Sequence, residues 1–206
     1  MRNEILKDIE KYYSQKINTH GPVPAGVDWN SEDSQLIRFE QLLKITSAII
    51  GPFSLLDFGC GYGALYRFMQ PRIKNFNYSG YDISEPMIKE AHSLINDKTV
   101  KFSTNLNELG QPDIAVASGI FNVKQNSSQE EWFEYVKETL HRINHISLKG
   151  FSFNMLTSYS DTDRKKEYLY YPDPCEIFSF CKREFSKEVA LLHDYNLYEF
   201  TILVRK

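Results

Sequence analysis

The sequence predicts an α/β fold: a doubly wound, seven-stranded, mostly parallel sheet with helices on both faces and a C-terminal antiparallel hairpin. Three observations predict it. The apolar run Phe53 to Phe58 reads as a buried strand; alternating glycines (Gly59, Gly61, Gly63) follow it, then a helical stretch, Ala64 to Met69, stopped by Pro71. Short apolar runs then alternate with helical patterns, as parallel strands joined by crossover helices require. Last, the strand patterns Lys187 to His193 and Tyr198 to Val204 are separated only by Asp194-Tyr195-Asn196-Leu197. No crossover helix fits there, so that pair is antiparallel.

The 206 residues suit one domain, with 1–50 a helical region over the remainder and 51–206 the sheet-bearing core. Hydrophobic residues make up 42% and charged residues 25%, an ordinary globular composition. No apolar run approaches the ~20 residues of a membrane span. The start, Met1 to Asp8, is a charged amphipathic helix pattern and not a signal peptide. A net charge of −3 argues against a large nucleic-acid surface. Three cysteines form no framework and fit a reducing cytoplasm.

In chain order, Asn3 to Ile17 is helical with Ile5, Ile9, Tyr12 and Tyr13 on one face. A breaker-rich loop, Thr19 to Gly26, precedes Val27-Asp28-Trp29-Asn30 and the N-cap Ser31. The second helix runs from Glu32 to about Ile49 and ends at Gly51-Pro52. Phe76 to Tyr81 is the second strand, and Ser84 caps a helix carrying Met87 and Ala91. Thr99 to Ser103 and Pro112 to Ser118 are the third and fourth strands. Ser128 opens a capping box with Glu131 before a long helix carrying Trp132, Val136, Leu140 and Ile143. Lys149 to Leu156 is the fifth strand. Thr157 to Tyr171 reads as a mobile polar loop at the sheet's C-terminal edge, and Asp173 caps a last helix with Pro174 at its first position.

The glycine loop carries the chemistry. Glycine permits a tight turn and lets a ligand lie against bare backbone, while the helix behind it presents unpaired N–H groups. Gly59-x-Gly61-x-x-Ala64 also satisfies a permissive dinucleotide fingerprint, so the glycines alone do not choose the nucleotide. Asp57, two residues before the first glycine, would repel a pyrophosphate but could bind an amino group. Asp82, at the end of the next strand, stands where a carboxylate accepts hydrogen bonds from ribose hydroxyls. A ligand with a ribose, an ammonium and no phosphate is S-adenosylmethionine.

Leu55-Leu56-Asp57-Phe58-Gly59-Cys60-Gly61-Tyr62-Gly63 resembles the first motif of the class I S-adenosylmethionine-dependent methyltransferases, whose fold is Rossmann-like. Gly80-Tyr81-Asp82-Ile83-Ser84 resembles their second strand end, and Glu85 to Ala91 the helix that follows. The resemblance implies cofactor contacts at Asp57, Gly59, Cys60, Gly61, Gly63, Asp82 and Ile83. It implies an adenine site at Asn105 and Leu106, where the family often has an acidic residue before the apolar one. Ser118 and Asn122 fall near the reacting methyl at the end of the fourth strand. The helices before the first strand are expected to form part of a lid, with Tyr12, Tyr13, Trp29 and Arg38 as candidates for that work and Arg38 as a partner for the methionine carboxylate.

Methyl transfer from a sulfonium needs alignment more than a catalytic cluster. The candidate bases are Tyr171 and His193; histidine is the type that titrates nearest neutrality. His141 and His145 lie four apart on a helix, but no third ligand accompanies them, so no metal site is expected. The leading expectation is a methyltransferase acting on a small molecule. A nicotinamide-dependent oxidoreductase, which would need a further domain, and a non-catalytic cofactor-binding or interaction protein on the same fold remain open alternatives.

Overall fold

The computed structural model describes residues 2–29 and 31–206, without the side chains of Arg2 and Asn3. Met1 and Asn30, assigned above to the N-terminal helix pattern and to the lead into the second helix, lie outside the described residues.

Seven strands form one sheet: β1 (Phe53–Phe58), β2 (Phe76–Tyr81), β3 (Lys101–Ser103), β4 (Ile114–Ala117), β5 (Gly150–Leu156), β6 (Glu188–Leu192) and β7 (Glu199–Arg205). Their order is β3-β2-β1-β4-β5-β7-β6. The first five are parallel; β7 runs antiparallel to both β5 and β6. The chain moves outward from β1 to β3, then returns to the other side of β1 as β4. That reversal opens a crevice above the carboxyl ends of β1 and β4, the place where ligands bind in open α/β sheets.

Helices cover both faces: α1 (Arg2–His20), α2 (Glu32–Leu43), α3 (Ala64–Met69), α4 (Glu85–Leu94), α5 (Gln129–Ile146) and α6 (Pro174–Glu184). On one face Ile5 and Ile9 of α1, Trp132 and Leu140 of α5 and Ile177 of α6 join a cluster with Leu56, Phe58 and Phe153. On the other, α2, α3 and α4 contribute Phe39, Leu65 and Ile88 to a cluster with Leu55, Tyr78 and Val116. Successive strand residues face opposite sides, so Leu55 and Leu56 serve different cores. The expected caps form: Ser31, Ser84, Ser128 and Asp173 each accept a backbone N–H of their own helix, and Ser128 and Glu131 complete the box.

Several boundaries differ from the sequence reading, most by a residue or two at a strand end. The first helix continues to His20. The second stops at Leu43 and tightens into a 3-10 turn, Lys44–Ala48, where the Thr46 hydroxyl donates to the Leu43 carbonyl at 2.8 Å; β-branched residues that bond the preceding turn disfavour continued α-helix. The third strand begins at Lys101, because Asp97 accepts both the backbone N–H and the hydroxyl of Thr99 and holds that stretch as a turn. The fourth ends at Ala117; beyond it Gly119 donates its N–H to Asn154 Oδ1 at 2.8 Å and the chain leaves the sheet.

The segment expected to be a mobile loop is stitched down. Tyr170 donates its N–H to the Asn122 carbonyl at 2.8 Å, Lys124 and Gln125 donate to the Tyr168 carbonyl, and Val123 bridges Leu169. Among the described residues, no helix is long and apolar enough to cross a membrane.

Candidate active site

The chain between β1 and α3 turns on glycine. Gly63 adopts φ +81 as the left-handed cap of α3, and a Cβ there would lie 2.4 Å from Ile95 Cδ1. Asp82 clamps the loop from the next strand end. Its carboxylate accepts the Gly61 N–H at 2.8 Å and the Ser84 N–H at 3.0 Å, so one side chain fixes both the glycine loop and the start of α4. These N–H groups pull its pKa down, but burial outweighs them and leaves it above the usual carboxylate range.

Asp57 is almost fully buried at the end of β1 and accepts the Tyr78 hydroxyl at 2.6 Å. Burial pushes its pKa up to about 7; the Tyr78 hydrogen bond opposes the rise, and the nearby Asp82 adds to it. A group poised there changes charge with its occupant: a cation beside it would draw it into the ionised form. The Cys60 thiol is buried and pushed well up by desolvation and by Asp82 and Asp57, which keeps it protonated and inert as a nucleophile.

A cleft above the strand ends is lined by Asp57, Gly59, Cys60, Gly61, Asp82, Ile83 and Ser118. Seven of the expected contacts therefore converge there. Gly63 shapes the loop from behind. The Ser118 hydroxyl is buried in the cleft wall without a partner among the described residues, a polar atom that a ligand could satisfy. Asn105 and Leu106 stand apart from these walls. The Asn105 side chain is committed locally, accepting the Asn107 N–H and donating to Glu108, and Leu106 is buried in the cluster that holds Ile5 and Ile9.

Arg38 also departs from expectation. Its Nε and Nη2 donate to both oxygens of Glu199 on β7, at 2.8 and 2.7 Å, and Trp29 covers the guanidinium at 4.0 Å. The fork is thus closed on a buried carboxylate instead of open toward the cleft. Asn154 Nδ2 donates to the same carboxylate at 2.5 Å. Since Asn154 also receives the Gly119 N–H, a buried polar chain runs from α2 through β7 and β5 to the turn after β4.

Beside the cleft lies a groove of about 830 Å³. Tyr13, Val27, Trp29 and Gly119 line both spaces. Gly119 has φ +73, and a Cβ on it would meet the Trp29 ring at 2.4 Å, so the indole packs on bare backbone at the junction. Burial holds the Tyr13 hydroxyl protonated, its pKa well above the ordinary tyrosine value. Asn122 and Tyr171 line the groove. The Tyr171 hydroxyl accepts the Lys166 N–H at 3.1 Å. His193 lines neither space; it is exposed at the sheet edge against the Tyr159 and Phe200 rings. Among the described residues, no group of His, Cys, Asp and Glu could hold a metal ion.

Sequence reasoning missed the contribution of α5, whose Tyr135, Thr139 and Arg142 line the cleft. Their spacing of four and three puts them on one stripe, a signal the sequence carries but the sequence analysis does not single out. It also missed Glu199 and Asn154, which no local pattern distinguishes from other strand residues.

The cleft's donor set suits a nucleoside that carries an ammonium: Asp82 can accept ribose hydroxyls, Asp57 can face a cation, and the Ser118 hydroxyl is unmet. Comparisons with known proteins agree. Residues 6–198 match the family model described as a methyltransferase domain. The chain is 48% identical over 156 residues, 75% of its length, to Rv1506c of Mycobacterium tuberculosis, covering 94% of that protein, whose own assignment as a methyltransferase is provisional. The magnesium protoporphyrin IX methyltransferase of Synechocystis PCC 6803 with bound S-adenosylhomocysteine superposes with a TM-score of 0.63 at 14% identity, covering both chains completely. The plantazolicin methyltransferase BpumL, in complex with a monoazolic desmethylPZN analogue and S-adenosylhomocysteine, gives a TM-score of 0.61 at 14% identity over 100% of this chain and 99% of that one.

Proposed function

Because the chain belongs to the S-adenosylmethionine-dependent methyltransferases, we propose that it methylates a small-molecule acceptor held in the groove beside the cofactor cleft. One observation carries this reading: cleft and groove meet at a shared wall of Tyr13, Val27, Trp29 and Gly119. A space of about 830 Å³ is in the range of small-ligand sites. Family membership sets aside the nicotinamide alternative.

The cofactor supplies a methyl group on a sulfonium, already activated for displacement. The protein's work is alignment and exclusion of water. In this reading Asp82 accepts from the ribose and Asp57 faces the ammonium. Gly59, Cys60, Gly61 and Gly63 present backbone, and Ile83 and Ser118 border the nucleoside. Trp29 and Tyr13 form the neck between donor and acceptor. Tyr13, held neutral, cannot take a proton there. Tyr171, on the groove wall, is the base candidate an acceptor there could reach, whereas His193 lines neither space. The α1 helix, with Ile9 and Tyr13 at the cleft, acts as a lid, and 1–206 works as one domain. The unpaired Cys60, Cys175 and Cys181 suit a reducing compartment such as the cytoplasm.

The test is incubation of the protein with methyl-labelled S-adenosylmethionine and separated small-molecule, protein and RNA fractions of a cell extract. Label entering the small-molecule fraction supports the reading. Label confined to protein or RNA overturns it.

A further inference from the structure

We propose that the groove selects an acceptor that is a ring-bearing oxyanion, an aromatic carboxylate or phosphate, anchored at its outer rim by Arg164 and Lys166. This rests on the reading of the groove as the acceptor site.

Charge in the groove is sorted by side. The loop from 157 to 171 is neutral overall, with Asp161, Asp163 and Glu167 against Arg164, Lys165 and Lys166. Arg164 and Lys166 line the groove, whereas the three acids do not. Asp161 accepts the Tyr198 hydroxyl, and Asp163 lies only loosely by Arg164 at 4.0 Å. The groove's own two acids are already countered. Asp28 holds Lys16 at 2.7 Å and Tyr12 at 2.5 Å, and Glu199 is held by Arg38 and Asn154. Among the described residues, the charge facing the groove without a close counter-charge is therefore positive, on a protein of net charge −3.

A second observation points to a ligand oxygen. Arg38 lines the groove and is more than nine-tenths buried, yet among the described residues its Nη1 has no partner. A buried guanidinium donor left unmet is costly, and it is shut off from water here; a second oxygen of the acceptor, at the groove's inner end, would satisfy it. Five aromatic residues share the walls with aliphatic and small polar ones. Tyr13, Trp29, Tyr168, Tyr171 and Tyr198 offer ring faces and hydroxyls, which suit a planar acceptor body.

The test is calorimetric titration of the protein with S-adenosylhomocysteine, then of the loaded protein with 4-hydroxybenzoate, phenyl phosphate and the neutral 4-hydroxybenzamide. At least one anion should bind about tenfold more tightly than the amide, and added salt should erode that preference. Whichever anion binds identifies carboxylate or phosphate as the recognised group. Arg164→Glu with Lys166→Glu should weaken the anion about tenfold, while the same reversal at exposed Lys89 and Lys98, outside the groove, should leave it unchanged. Equal binding of anion and amide, binding of none of them, or indifference to the groove reversal overturns the proposal. Absence of S-adenosylhomocysteine binding in the first titration would instead strike the methyltransferase reading beneath it.

Discussion

Tyr78 donates its hydroxyl to Asp57 at 2.6 Å, across two neighbouring parallel strands and beneath the glycine loop. That bond partly offsets the burial of Asp57, whose pKa nevertheless stands at about 7. The carboxyl assigned to the cofactor ammonium is therefore half-protonated near neutrality until a cation arrives.

Cofactor affinity should depend on pH through this group. Below pH 7 the empty site holds a neutral acid, and binding must expel its proton. The dissociation constant for S-adenosylhomocysteine should rise by up to about tenfold per pH unit as pH falls below 7. Asp57→Asn should bind more weakly at pH 8 and lose that step. Titrations in a pH series check this; a wild-type profile flat between pH 5 and 8 would contradict the assignment.

Stability has the opposite sign. The folded pKa of Asp57 is raised, so the folded state holds a proton that the unfolded chain has released between the usual carboxylate range and about pH 7. Stability present at low pH is lost as pH rises through that window. Asp57→Asn keeps an acceptor for Tyr78 and sheds this cost. It should gain about 1–3 kcal/mol at pH 8, a few degrees in Tm, and much less at pH 4. Thermal melts at both pH values decide it.

Asp82→Ala should act twice. It removes the acceptor assigned to the ribose, weakening the cofactor by roughly 1–3 kcal/mol. It also strips the Gly61 and Ser84 N–H groups of their partner, lowering stability by about 1–2 kcal/mol. If calorimetry shows unchanged affinity in a folded variant, the ribose contact lies elsewhere.

The Arg38–Glu199 pair should behave as a buried ion pair. Either Arg38→Met or Glu199→Leu alone leaves a charge stranded and should cost about 3–5 kcal/mol. The double variant should cost less than either, because no buried charge remains. Chemical denaturation of the four proteins forms a complete cycle; additive losses would show that the two residues are not coupled.

Much of the fold was legible because local physics repeats along the chain. The strand and helix periods, the caps at Ser31, Ser84, Ser128 and Asp173, and a connection too short for a helix before β7 together specified the doubly wound sheet and its closing hairpin. The glycine loop with Asp57 and Asp82 was legible for the same reason: each sits at a strand end, and the carboxyl ends of parallel strands converge on one crevice whatever the intervening sequence. Asn105, whose amide is spent on its own turn, and His193, which falls at the sheet edge, show the limit. Residue type and position near a strand end do not say which way a side chain turns. Arg38 and Glu199 are 161 positions apart, and only insertion of β7 beside β5 brings them together. The groove likewise exists because α1, the turn after β4 and the 157–171 loop meet above the sheet. The sequence by itself determined the elements and the crevice proposed for the cofactor, since those follow from short-range pattern. The tertiary structure alone decided the groove proposed for the acceptor, since it is assembled from long-range contacts that no local pattern encodes.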